Sequence, residues 1–420
     1  MPQLTFSGNE ITDAERSAAL SWPDTQQGGS TDGETTPAGV GIWEAGTNLF
    51  RRGQCDATTD WNGVPNGGVV TVAIDTTVAA PFSPQSIRFT LDGAAAQQGG
   101  QAETATGQAA AAGTDGVCSV YFKGVAGLSY IARNYWLNTD ASATIGANTT
   151  FVATGAWQLL QPAAVAVAAG KTGDALFVQV IVNGTRAETF HLAHAMQQSG
   201  VLFVTPYVAT SQGATATRNA ARVQAPASLL NATQGWVAAR VTVPWSAASP
   251  PGGGSGFPFI LYWAQDNNNK LDISFNESTR VWQMESAVGG VFSSAVSAVQ
   301  SFPAGSTLTI VGYWTSTTLG IGVNGGAFVT AARSAVQGTM PSTFDLGSAG
   351  GGADFIDGDF LWAACGTGTL SNADAAMINA WIAAPILEMF PSAAMAVAVM
   401  PFITANYIDY PLIPIIAGRR

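Results

Sequence analysis

Charge is scarce in this chain: Asp, Glu, Lys and Arg make up 10% of 420 residues, and the balance leaves a net charge of -11. No basic stripe is present, which excludes a nucleic-acid surface, since neutralising phosphates requires clustered Lys and Arg. Cysteine is nearly absent as well. Cys55, Cys118 and Cys365 stand far apart, with no CxxC or Cys/His spacing. That removes a disulfide framework and a zinc knuckle, and leaves buried, reduced thiols as the expectation. A nucleophile elbow, a phosphate-binding loop and a Cys/His pair are all missing. The start of the sequence, MPQLTFSGNE, has no basic segment followed by an apolar one, so no secretory signal is expected and synthesis in a cytoplasm is.

What the chain has is glycine (48 residues), alanine and a 47% hydrophobic fraction. This composition indicates a globular protein with many tight turns rather than an acidic disordered chain. Its length suggests two cores. From Val69 to Thr210, short apolar segments follow one another at close spacing, separated by Asp92-Gly93, Asp115-Gly116 and Asn183-Gly184. In ALFVQVIV the row Leu176, Val178, Val180, Val182 takes one face, the period-2 mark of a strand. The Gly/Gln/Ala stretch 93–113 reads as a surface loop. VLFVTPYVAT (201–210) reads as strand-like.

A second strand-rich region follows. In GWVAARVTVPW, Val237, Ala239, Val241, Val243 and Trp245 share a face; Asp266 to Asn269 suits a hairpin turn with left-handed positions; Asn324-Gly325 is the strongest hairpin signal in the chain. One helix is expected near 371–384, capped by Ser371 or Asn372, with Asp374 in its first turn. The fold class is therefore all-β: two tandem antiparallel β-sandwiches of jelly-roll type with extended N- and C-terminal arms. The division is an arm over 1–40, a sandwich over 41–215, a sandwich over 216–388 and an apolar arm over 389–420. The first arm is expected to order only against a partner.

The segment GIWEAGTNLFRRGQCDATTDW, with Glu44, Asn48-Leu49, a turn at Gly53 and Trp61, resembles the opening of carbohydrate-binding jelly-roll modules of bacteriophage tail and virion proteins. The resemblance continues through VYFKG, TGAWQLL and the run from Thr189 to Arg218, with Gln197 or Gln198 where many such modules carry an acid. Residues 235–383 resemble the concanavalin-like or laminin-G-like sandwich, in the VNG hairpin, the strand DGDFLWAACGTGTLS and the short helix.

The resemblance implies a non-enzymatic structural or adhesion protein of a phage virion, a minor tail, fibre or decoration protein that contacts host glycan. Such modules hold sugar on aromatic platforms, and the candidates are Tyr121, Tyr130, Tyr135, Trp136 and Trp157. The competing reading of each ring is core packing. A glycan-degrading depolymerase or its accessory subunit is the alternative function. His191 and His194 form H-x-x-H on a strand and lack a third ligand, so structural roles are expected. Asp357 and Asp359, placed on one strand face, could be imagined as a glycosidase pair, but a solvated face, or a calcium-like ligand set as in some laminin-G relatives, fits them better. No cofactor is expected; calcium is the one ion the oxygen-rich turns could serve, although no loop of fixed spacing occurs.

The segment 389–420 is apolar, and Pro391, Pro401, Pro411 and Pro414 interrupt what would otherwise approach a membrane span. Burial against a neighbouring subunit is the expectation, through Phe390, Met400, Phe402, Tyr407, Tyr410 and Ile413. The expected partners are other virion proteins and further copies of the chain. A trimer would suit a fibre protein, yet no heptad or triple-helical repeat is present.

Overall fold

The computed structural model describes residues 5–7, 40–42, 46–201, 203, 207–208, 210, 213–218, 222–251, 257–349, 354–367, 370–374 and 398–400. They form antiparallel sheets stacked around two separate cores. In the first sandwich one sheet orders Ala143–Ile145, Ser129–Asn138, Gly173–Val182, Gly99–Glu103 and Trp61–Val64, with Thr149–Val152 also on Ser129–Asn138. The facing sheet orders Gln158–Leu160, Asp115–Lys123, Ala187–Ser199, Ser86–Asp92 and Val70–Asp75, with Val165–Ala166 also on Asp115–Lys123. The row Leu176, Val178, Val180 and Val182 is fully buried between them, beside Phe89, Phe122 and Phe190. Alternation thus assigned the inward face correctly.

The second sandwich stacks two longer sheets. One runs Thr5–Ser7, Arg222–Pro226, Thr343–Leu346, Phe259–Asp266, Asn269–Asn276, Val281–Val288, Val291–Val296. The other runs Val40–Ile42, Gly358–Gly366, Gly235–Val243, Ser306–Trp314, Thr318–Val323, Val329–Ala332, with Ala398–Met400 also on Gly358–Gly366. Val237, Ala239, Val241, Val243 and Trp245 all enter this core. Asn324 and Gly325 have φ of 51° and 75° and close the expected hairpin. The Asp266 hairpin also forms, but Asn267 and Asn268 are not left-handed; the Asp266 carboxylate instead accepts from the Asn268 N–H at 2.7 Å.

Several expectations are corrected. Within 93–113, expected as a surface loop, lies the strand Gly99–Glu103, inner to its sheet. Glycine composition disguised it, yet glycine is what the position demands: a Cβ on Gly100 would lie 2.5 Å from the Phe89 ring. Residues 201, 203, 207, 208 and 210 carry no strand. Val40–Ile42, assigned from sequence to the arm and the start of the first sandwich, pairs instead with Gly358–Gly366. Thr5–Ser7 likewise pairs with Arg222–Pro226, so both described pieces of the N-terminal region lie against the chain's own second sandwich. A free sheet edge is a row of unsatisfied donors and acceptors, and short strands satisfy it. Asp357 precedes its strand at φ 44° and does not share a strand face with Asp359. At the expected helix, residues 372–374 are helical, and Ser371 and Asp374 cap each other through Oγ–Oδ2 at 2.7 Å. The rest of 371–384 lies outside the described residues. No helix among the described residues is long and apolar enough to cross a membrane.

The segment joining the sandwiches is locked by Asn48. Its amide nitrogen donates to the carbonyls of Ala195 (3.0 Å) and Val208 (2.9 Å). Its Oδ1 accepts from the N–H groups of Phe50 (3.1 Å) and Gln197 (3.0 Å). Asn48 is fully buried, so an apolar replacement would strand four backbone groups. Asn48→Ala is expected to cost about 3 kcal/mol or more, read as a lowered midpoint in chemical denaturation; an unchanged midpoint would refute this role.

Candidate functional site

The core-averted face of the sheet built on Ser129–Asn138 and Gly173–Val182 carries the most developed polar array of the first sandwich. Strand alternation sends Tyr130, Ala132 and Trp136 inward, and therefore Arg133 and Tyr135 outward. The same rule turns Ala175, Phe177, Gln179 and Ile181 outward, while Leu176, Val178, Val180 and Val182 fill the core. Register then sets Arg133, Gln179, Gln101 and Asn62 side by side on four strands. One row further on stand Tyr135, Phe177 and Glu103.

Hydrogen bonds fix the array. Arg133 Nε donates to Gln179 Oε1 at 2.7 Å, and Gln179 Nε2 donates to Gln101 Oε1 at 2.9 Å. The Tyr135 hydroxyl donates to the same Gln101 oxygen at 2.9 Å. Asn62 Nδ2 donates to Glu103 Oε2 at 2.7 Å. The Tyr135 and Phe177 rings stack at 4.3 Å and 9°. Burial raises the Tyr135 hydroxyl above its ordinary range, so it stays a neutral donor. Burial, seconded by the Asp60 carboxylate, also raises Glu103. Phe177 and Gln179 are only 4% exposed and brace the array, while Arg133, Gln101, Tyr135, Glu103 and Asn62 reach the surface. A guanidinium, amides, a phenol and a carboxyl held on rigid strands suit a ligand with many hydroxyls.

Of the rings singled out from sequence, only Tyr135 belongs to this array. Tyr121, Tyr130 and Trp136 are core residues, at 1%, 0% and 0% exposure, and as sugar platforms they are corrected. Each is oriented inward by its strand. Trp136 donates to the Val165 carbonyl, and Tyr130 lies under the Arg186 guanidinium at 4.7 Å. Trp157 is half-buried, donates to the Ala79 carbonyl at 2.9 Å and packs against the core away from Tyr135. Sequence reasoning passed over Arg133, Gln179, Gln101, Glu103, Asn62 and Phe177. A single Gln inside ALFVQVIV and a single Arg inside SYIARNYWLN were the available signals.

The histidines are structural. His194 sits at φ 51° in a bulge between Ala193 and Met196; its Nδ1–H donates to the Gly53 carbonyl at 2.8 Å and its Nε2 accepts from the Phe82 N–H at 3.0 Å. Burial lowers its pKa to about 3, which keeps it neutral. His191 bonds Asp75 at 3.1 Å. The three cysteines are buried and unpaired, and burial raises the Cys55 and Cys365 thiols to about 12, far from thiolate chemistry. Among the described residues no group of three or more His, Cys, Asp or Glu is placed to hold a metal. Met400 lies on the strand Ala398–Met400, paired to Ala363. Phe390, Phe402, Tyr407, Tyr410 and Ile413 lie outside the described residues.

The second sandwich has a charged cluster on its own core-averted face. Lys270 Nζ lies 2.9 Å from Asp272 Oδ2 and 2.6 Å from Glu285 Oε1; Ser274 and Ser294 hydroxyls donate to Asp272 and Glu285 at 2.9 and 3.1 Å. Asp272 is fully buried, and desolvation outweighs the lysine, raising its pKa to about 6.

No family model and no curated protein matches the chain. Several solved structures are similar to part of it. The C-terminal family 22 carbohydrate binding module of Clostridium thermocellum Xyn10B shares 13% identity over 36% of this chain and 94% of its own, with a TM-score of 0.29. The xylan-binding domain of Paenibacillus barcinonensis Xyn10C shares 16% over 40% and 98%, at 0.26. The enzymatically active domain of bacteriophage CBA120 tailspike protein 4 shares 12% over 35% and 20%, at 0.28. Likeness at this level carries no argument about function, and the all-β class rests on the strands themselves.

A raised carboxyl binds its proton more tightly folded than unfolded, so Asp272 stabilises the fold most at low pH and loses that contribution as pH rises through about 6. The melting temperature of the native chain minus that of Asp272→Asn is expected to fall between about pH 4 and pH 6 and to stay level above. A difference that grows with pH would show that the ionised pair with Lys270 dominates.

Proposed function

We propose that this protein is a non-enzymatic structural or adhesion component of a bacteriophage virion, a minor tail, fibre or decoration protein, whose first sandwich contacts host-surface glycan. The observation that carries the glycan reading is the surface row of Arg133, Gln101 and Asn62 with Tyr135, held in place by the buried Gln179 and Phe177. Amides and guanidinium meet hydroxyl groups without needing charge on the ligand, and strands hold them at fixed spacing. The virion assignment rests on the resemblance of Gly41–Trp61 and Thr189–Arg218 to modules of phage tail proteins, and on the apolar, proline-broken C-terminal segment, which suits burial in an assembly. The partners are then other virion proteins and further copies of the chain. The non-enzymatic reading rests on the same resemblance.

A glycan array read with the full chain is expected to give binding that Arg133→Ala or Gln179→Ala weakens at least ~10-fold, or about 1.4 kcal/mol, while Trp157→Ala leaves it unchanged. Absence of binding, or binding indifferent to Arg133, would sink the glycan reading. Release of reducing sugar from a bound polysaccharide would defeat the non-enzymatic one. Separately, removal of residues 401–420 is expected to leave folded sandwiches that fail to incorporate into particles. Full incorporation of that shortened chain would remove the anchoring role.

A further inference from the structure

The sequence contains no Asp, Glu, Lys or Arg from residue 286 to residue 332. That uncharged stretch holds the terminal strands of both sheets of the second sandwich, Val291–Val296 and Val329–Ala332. Among the described residues neither strand has a second neighbour in its sheet. The two lie on the same side of the sandwich, joined where the Ser334 N–H donates to Ser293 Oγ at 3.1 Å. Large apolar side chains are concentrated there: Val291, Phe292, Val296, Val299 and Val329 are each 44% exposed or more.

Sheet edges in soluble proteins are normally blunted by Lys, Pro or a bulge, because a free edge templates further pairing. This side has none of these within its strands. On the opposite side of the same sandwich the chain supplies its own extra strands, Thr5–Ser7, Val40–Ile42 and Ala398–Met400. The chain's described terminal strands are therefore spent on the far side, and the uncharged side is left for a partner.

We propose that this side of the second sandwich is a self-association surface, taken up by the same edge of a second copy of this chain. Two acidic chains of net charge -11 repel, and an edge without charge is where two copies meet at least cost. The strand VFSSAV suits an isologous antiparallel contact: about a two-fold axis at Ser294, Phe292 meets Val296 on the outward face and Ser293 meets Ala295 on the inward face of the other copy. The outer face of such a junction is apolar at Phe292, whose ring lies 5.8 Å from Lys270 Nζ. The contact uses no residue of the first sandwich, so the inference stands apart from the glycan reading.

The test is the mass of the full chain in solution, by sedimentation or light scattering. A dimer at about 100 µM or below is expected. Phe292→Lys combined with Val296→Lys, which sets ammonium groups from both copies at one junction, is expected to weaken it at least ~10-fold. Both side chains are exposed, so the melting temperature in dilute solution should not change. Val152→Lys, an exposed valine of the first sandwich, should leave the dimer intact. A native chain that stays monomeric at this concentration would overturn the proposal. So would a dimer indifferent to the paired lysines, whose contact must lie elsewhere.

Discussion

The carboxamide of Asn48 makes the hydrogen bonds on which the first sandwich and its exit depend. It is a side chain acting as a piece of backbone: the strand Gly46–Asn48 ladders with Ala216–Arg218, and two donors and one oxygen of Asn48 tie it to the strand Ala187–Ser199 and to Val208. The strand Ala187–Ser199 must both pair along its length and break step at His194, and the bulge leaves backbone groups that only a fixed polar partner can satisfy. His194 fills the same need from the other direction, tying Gly53 to Phe82 through a ring that burial keeps neutral. Two buried polar side chains thus hold the place where the chain leaves one core for the next, with the ion pairs Arg51–Asp60 and Arg52–Asp56 alongside.

Period-2 patterns were legible because burial on one face is a strong selection on composition. The rows Leu176 to Val182 and Val237 to Trp245 could be read directly, as could the Asn324-Gly325 hairpin, since few residue pairs tolerate two positive φ values. Gly99–Glu103 was illegible for the opposite reason. Its first two residues are glycines, so that Phe89 can press against Gly100, and GGQAE carries no alternation of large apolar residues to read.

The site was less readable than the fold. Aromatic residues attract notice, yet Tyr121, Tyr130 and Trp136 are large because they fill the core. The residues that build the outward face are an Arg, a Glu, two Gln and an Asn brought together from four strands, and nothing along the chain announces their adjacency. Only register does. The capping of the helix at Ser371 shows the contrast, since there both partners lie within one turn.

The row from Arg133 to Asn62 runs across strands rather than along one. Its pitch is therefore the distance between neighbouring strands, about 4.8 Å, and its length is the number of strands it crosses. A ligand laid on it is measured against a ruler that no side-chain substitution can re-space. Such a surface would distinguish polymers by the repeat at which they present their polar groups before it distinguished them by the identity of any one unit.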